Sequence, residues 1–93
     1  NRLRLVNILG YEMDITPTGI MLFVRNKDVP GVIGKVGTTL GAAKINIGAY
    51  LLSRDSEDGE AFAVIRVDNE VPKDILSIVA NMSEIVSIQQ MHC

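Results

Sequence analysis

The sequence predicts an α+β domain of order βαββαβ, and three observations carry that prediction. Short apolar runs with strand-like alternation recur at residues 20–25, 45–53, 61–67 and 85–90. The stretches 30–44 and 72–81 between them switch to helical periodicity, each opening on a proline. The chain has 93 residues, 47% apolar and 22% charged, which is globular composition and enough for one domain only.

Residues 1–17 alternate: Leu3 and Leu5 with Arg2 and Arg4, then Tyr11, Met13 and Ile15 with Glu12 and Asp14. With Gly10 between the runs, this predicts a hairpin turning near Leu9-Gly10. A lone hairpin is marginal in water, so it must lean on something else. Thr16-Pro17-Thr18-Gly19 punctuates the chain. It separates residues 1–18, a hairpin ending a preceding domain or forming a linker, from the main domain at 19–93.

In the first strand, Ile20, Leu22 and Val24 share one face and Met21 and Phe23 the other. A strand apolar on both faces belongs in the middle of its sheet. Asn26-Lys27-Asp28-Val29 reads as a polar loop, and Pro30 as the first helical residue. In the helix, Val32, Ile33, Val36, Leu40 and Ala43 fall on one arc, and Gly31, Gly34, Gly37 and Gly41 on its neighbour. A glycine inside a helix costs about 1 kcal/mol relative to alanine. A stripe of four therefore predicts close approach by another backbone or a ligand.

The second strand sets Ile45, Ile47, Ala49 and Leu51 on one face and Asn46, Gly48, Tyr50 and Leu52 on the other. Residues 54–59, Arg-Asp-Ser-Glu-Asp-Gly, form a charged turn ending on the hairpin signal Asp58-Gly59, and the third strand follows. The second helix clusters Ile75, Ile78, Val79 and Met82, and the fourth strand closes the order. This is the split-βαβ, ferredoxin-like plan: a four-stranded antiparallel sheet with both helices on one face and right-handed crossovers. The open face then carries Met21, Phe23, Tyr50 and Leu52.

Nine Lys+Arg against eleven Asp+Glu leave a formal charge of −2 and a pI near 5.2, which speaks against nucleic-acid or membrane-surface binding. No apolar run approaches the roughly 20 residues of a transmembrane helix, and no signal peptide opens the chain. The lone cysteine, Cys93, excludes an internal disulfide or a cysteine-based zinc cluster and fits a reducing, cytoplasmic setting. The chain starts at Asn1 and reads as a piece of something longer. Its mean hydropathy of +0.25 is high for so thin a core. Part of the apolar surface is therefore expected to pack against another chain or domain.

The segment Asp28-Val29-Pro30-Gly31-Val32-Ile33-Gly34 carries most of the chemical information. Free backbone N–H groups at a helix start favour a carboxylate, and Asp28 beside them favours an ammonium. The pair suits an amino-acid zwitterion, although an aspartate there also commonly caps its helix. Asn46 could reach the same site or could simply satisfy the local backbone.

Other motifs carry less. Gly34-Lys35-Val36 is no Walker A loop, and the glycine spacing is not the dinucleotide fingerprint. His92 has no partner ligand or nucleophile in sequence, and Asn81-Met82-Ser83 matches a glycosylation acceptor only formally. RNA recognition on this fold needs exposed aromatics and basic residues on the sheet. Here Tyr11, Phe23, Tyr50 and Phe62 are the only aromatics, and copper carriage would need paired cysteines. No paired carboxylates or nucleophile–base pair can be assembled, so catalysis within the chain is not expected.

Residues 25–38, Arg-Asn-Lys-Asp-Val-Pro-Gly-Val-Ile-Gly-Lys-Val-Gly-Thr, followed by Ile45-Asn46-Ile47, resemble the ACT domain family. The likeness is greatest to the C-terminal regulatory ACT domains of D-3-phosphoglycerate dehydrogenases and covers about residues 19–91. Residues 7–19, with Gly10-Tyr11 and Pro17-Thr18-Gly19, resemble the end of the intervening domain in longer members of that group. The resemblance implies a regulatory module of L-serine biosynthesis in the cytoplasm. It implies no cofactor in this chain and NAD in the parent enzyme.

It also implies a homodimer of side-by-side ACT domains with L-serine at their interface. Carried over by position, Asn26 and Asp28 hold the ammonium and hydroxyl, and the Val32 and Ile33 amides hold the carboxylate. Pro30 and Gly31 complete that loop, while Asn46, with Ile47 beside it, reaches across from the partner. Asn26 departs from the His or Tyr frequent in relatives, which bears on ligand identity. Two alternatives stand: an ACT domain of an iron–sulfur L-serine dehydratase, and a ligand-free assembly module.

Overall fold

The structure is a computed structural model that describes residues 5–8, 11–14, 18–55 and 59–93. The strands and helices are β1 (Leu5–Ile8), β2 (Tyr11–Asp14), β3 (Ile20–Lys27), α1 (Val32–Ala42), β4 (Ile47–Asp55), β5 (Glu60–Val67), α2 (Lys73–Ala80) and β6 (Ile85–His92). Strands β1 and β2 pair with each other, and the rest form one antiparallel sheet in the order β4-β5-β3-β6. From β3 onward this is the predicted ferredoxin-like βαββαβ order. The predicted hairpin strands are present, while its turn at Leu9-Gly10 and the residues Asp58 and Pro17 lie outside the described residues.

Sequence explains which strands are central. In β3, Met21, Leu22, Phe23 and Val24 are all buried, and in β5 every residue from Ala61 to Ile65 is fully buried. Such strands can satisfy their backbone groups only by pairing on both edges, and both do. Apolar side chains form two layers. On the helix side, Leu22, Val24, Ala63 and Ile65 pack with Val32, Val36 and Leu40 of α1 and Val79 of α2. On the other side, Met21, Phe23, Phe62 and Val64 form a second cluster, with the Phe23 and Phe62 rings 6.2 Å apart and nearly parallel. Strand β2 lies against β4.

The face assignment of β4 differs from the alternation expected. Ile45 is in the helix-side core, yet so are Tyr50 and Leu52, while Leu51 joins the opposite cluster. The cause is an irregularity between Ile47 and Ala49, where Gly48 adds one residue to the β4–β5 register. One inserted residue inverts the side-chain alternation beyond it.

Both helices are shorter than predicted. Pro30 lies outside α1, which starts at Val32 behind a left-handed Gly31 (φ +89°). Ile33, expected on the buried arc, is 48% exposed, and so is Ile78 of α2 at 51%. In α2 the buried arc centres on Val79, with Ile75, Leu76 and Met82 packed beside it, so Leu76 takes the place expected of Ile78. A side chain on Gly34, Gly37 or Gly41 would meet nothing within 4 Å. The stripe therefore faces outward, and no backbone of the described residues approaches it.

The end of α1 is a Schellman closure built without glycine. Lys44 N–H donates to the Gly41 carbonyl at 2.9 Å and Ile45 N–H to the Leu40 carbonyl at 2.9 Å, with Lys44 left-handed at φ +61°. Leu40 and Ile45 are both in the core and supply the apolar contact of that motif. Lys44→Gly is expected to raise stability by about 0.5–1 kcal/mol, since only glycine holds this conformation without steric strain. Urea unfolding of the two proteins measures it, and an unchanged or lowered midpoint would contradict the closure.

Candidate functional site

The loop after β3 gathers the residues of interest. The strand runs to Lys27, two residues beyond the predicted end, so Asn26 belongs to the sheet rather than to a loop. A register shift against β6 between Arg25 and Asn26 ends the regular ladder there. Asn26 is buried, and its Nδ2 donates to the Lys27 carbonyl at 2.9 Å. Lys27 N–H donates to the Glu84 carbonyl (2.8 Å), Asp28 N–H to the Gly59 carbonyl (2.9 Å) and Val29 N–H to the Lys27 carbonyl (2.9 Å). The loop is thus tied to the starts of both β5 and β6 before it turns at Pro30-Gly31.

The first intrahelical bond of α1 runs from Lys35 N–H to the Gly31 carbonyl at 3.0 Å. The preceding N–H groups of Val32, Ile33 and Gly34 have no acceptor within the helix, and no side chain caps them. Asp28, the expected capping candidate, instead pairs through Oδ1 with Arg54 Nε at 3.2 Å. The helix start is therefore an open, electropositive feature beside a paired carboxylate.

Asn26, Asp28, Pro30, Gly31, Val32 and Ile33 all line one depression of about 170 Å³. Val29, Leu52 and Arg54 complete it, and these were not anticipated. Leu52 enters because the Gly48 bulge turns it, and Arg54 because β4 runs to Asp55 instead of ending at Ser53. A β-bulge signalled by Gly48 was the only cue in the sequence. Asn46 and Ile47 do not line the depression. They follow the far end of α1, whose 11 residues span roughly 16 Å. Asn46 is exposed there, its carbonyl accepting the Asp68 N–H at 3.1 Å, and Ile47 is 37% exposed.

A second tie fixes α1 from the β6 side. Lys35 Nζ donates to Glu84 Oε2, and Ser83 Oγ donates to Glu84 Oε1 at 3.2 Å. The Lys35 hydrogen bond holds the Glu84 carboxyl below the ordinary glutamate range. Burial pushes the Tyr50 phenol up. His92 Nε2 lies 3.1 Å from Glu70 Oε1, and exposed Cys93 donates its N–H to the Gly19 carbonyl at 2.7 Å. Among the described residues, no three His, Cys, Asp or Glu side chains come together as a metal site, and no helix is long and apolar enough to cross a membrane.

With this geometry in view, the likeness to known proteins is specific. Residues 20–83 match the model of the ACT domain. The chain is 39% identical over 90 residues to the D-3-phosphoglycerate dehydrogenase of Mycobacterium leprae, covering 91% of this chain and 17% of that enzyme. It is 35% identical over 86 residues to the Bacillus subtilis enzyme, covering 92% and 16%. The chain thus spans about one sixth of the length of these relatives.

Among solved structures it superposes on a homoserine dehydrogenase from Thiobacillus denitrificans with a TM-score of 0.64 at 15% identity, over 83% of this chain and 19% of that one. It also superposes on the ACT domain of GTP pyrophosphokinase from Chlorobium tepidum at 0.58 and 12%, over 82% and 100%. These distant structures share the fold. The chain belongs to the ACT domain family.

The Lys35–Glu84 tie predicts a pH dependence. Glu84 titrates lower in the folded than in the unfolded chain, so its stabilisation is present above the ordinary glutamate range and fades as pH falls through the lowered value. The melting temperature of the unmodified protein should exceed that of Glu84→Gln near neutrality and converge with it in strong acid. Parallel curves across the whole range would contradict the assignment.

Proposed function

We propose that this ACT domain is the regulatory module of a D-3-phosphoglycerate dehydrogenase and binds L-serine as a feedback effector. The observation that carries this reading is one depression in which Asn26 and Asp28 stand beside the uncapped start of α1. An amino acid is the smallest metabolite with both charges this arrangement favours. Asp28 takes the ammonium, the Val32 and Ile33 N–H groups take the carboxylate, and Asn26 accepts or donates to the side-chain hydroxyl. The relatives at 35–40% identity support such an enzyme as the parent. NAD then belongs to that parent's catalytic domains, and the setting is the cytoplasm.

A second copy completes the site in this reading. Strand β4 is an edge of the sheet, its first residue Ile47 and the preceding Asn46 are exposed, and the glycine stripe of α1 faces outward. Side-by-side pairing of two such domains along that edge brings Asn46 of one chain toward the loop of the other. A ligand held by both copies favours the paired arrangement by its difference in affinity, about 1–3 kcal/mol in ordinary allosteric coupling.

One observation favours the alternative of a ligand-free assembly module: Asp28 already has a counter-ion in Arg54. Calorimetry separates the two readings. L-serine should bind the unmodified protein, and Asp28→Ala should weaken it at least about tenfold by removing the partner of a charged hydrogen bond. Absence of heat and of thermal stabilisation with L-serine and other small amino acids would favour assembly alone.

A further inference from the structure

We infer that Arg54 is a specificity-determining residue of the depression, selecting ligands whose ammonium carries a carboxylate on the neighbouring carbon. The inference rests on the amino-acid-binding reading above and adds a residue to it. Arg54 lines the depression and meets Asp28 through Nε alone, at 3.2 Å from Oδ1. Among the described residues, no other group engages its two terminal amino groups or the second oxygen of Asp28. Among the described residues, each member of the pair therefore keeps one unused polar edge, and both residues line the same small space.

An α-amino acid fits that pair without breaking it. Its ammonium lies on the free oxygen of Asp28 and its carboxylate on the free edge of the guanidinium, so four charges alternate in sign around a ring. A ligand with the ammonium only leaves the outer edge of the guanidinium without an anion, its Nε still on Asp28. A ligand with the carboxylate only puts two anions beside each other at Asp28. The planar, forked guanidinium can hold Asp28 and the ligand at once, which the single ammonium of a lysine does less well. The Val32 and Ile33 N–H groups remain available for the other carboxylate oxygen.

The site's position gives this contact a consequence for assembly. Arg54 stands near the end of edge strand β4, the same strand that Asn46 immediately precedes. A ligand bridging Asp28 and Arg54 therefore ties the loop before α1 to the edge strand.

The test compares L-serine with L-serinamide, which keeps the ammonium and hydroxyl but has no carboxylate charge. Calorimetry is run on the unmodified protein, Arg54→Ala and Arg54→Lys at about pH 6, where both ligands carry the ammonium. The Arg54 side chain is 70% exposed, so replacing it leaves the fold intact and the expected effect is moderate. Arg54→Ala should weaken L-serine roughly fivefold without weakening L-serinamide, with the Arg54→Lys affinity for L-serine between those of the unmodified protein and Arg54→Ala. Equal weakening of both ligands, or no change in either, overturns the role of Arg54 while leaving the binding site itself standing. Failure of the unmodified protein to bind L-serine at all overturns the underlying reading, and the inference with it.

Discussion

The loop between β3 and α1 depends on β3 being held on both edges. Strand β3 is apolar on both faces and lies between β5 and β6, so its end is one of the least mobile points that the sheet can offer. From there Lys27 and Asp28 donate their N–H groups to Glu84 and Gly59, on opposite sides of the loop. Gly31 at φ +89° then turns the chain into α1 with its first N–H groups unspent. A carboxylate-binding helix start requires such support, because a floating loop would have to be ordered by the ligand at an entropic cost of about 1–2 kcal/mol per residue.

Charge is arranged around this loop in the same economical way. Two of the described ion pairs, Asp28–Arg54 and Lys35–Glu84, flank it from β4 and from the start of β6. Both are partly exposed and contribute little to global stability. Their effect is local, since they tie the loop and the first turn of α1 to two different strands of the sheet. The core does the stabilising, with Val36, Leu40 and Val79 fully buried against Leu22 and Ile65.

Most of the fold was legible in the sequence because its strands and helices differ strongly in period. Met21 and Phe23 alternating with Leu22 and Val24 predicted a central strand, and the sheet order bears this out. What was not legible is local. Nothing in a period-two pattern announces that Gly48 inserts one residue and sends Leu52 to the other face. Nor does it show that Arg54 extends β4 far enough to meet Asp28. Pro30 misled because a proline can open a helix or precede one, and here Gly31 intervenes. Ile33 and Ile78 fall at the margins of apolar arcs at helical spacing, and such a margin is exposed where nothing packs on it, as at both residues. Asn46 and Ile47, expected at the site, lie beyond the depression of their own chain.

We propose this ACT domain as a receptor for a small zwitterion, with the helix start as its anion-binding half and Asp28 as its cation-binding half. Backbone amide resonances, followed by nuclear magnetic resonance as L-serine is added, report on that claim most directly. The account predicts saturable shifts centred on Gly31, Val32 and Ile33, with Ile75 and Val79 of α2 unmoved. Shifts confined to α2 and β6, or a spectrum that L-serine leaves unaltered, would contradict it.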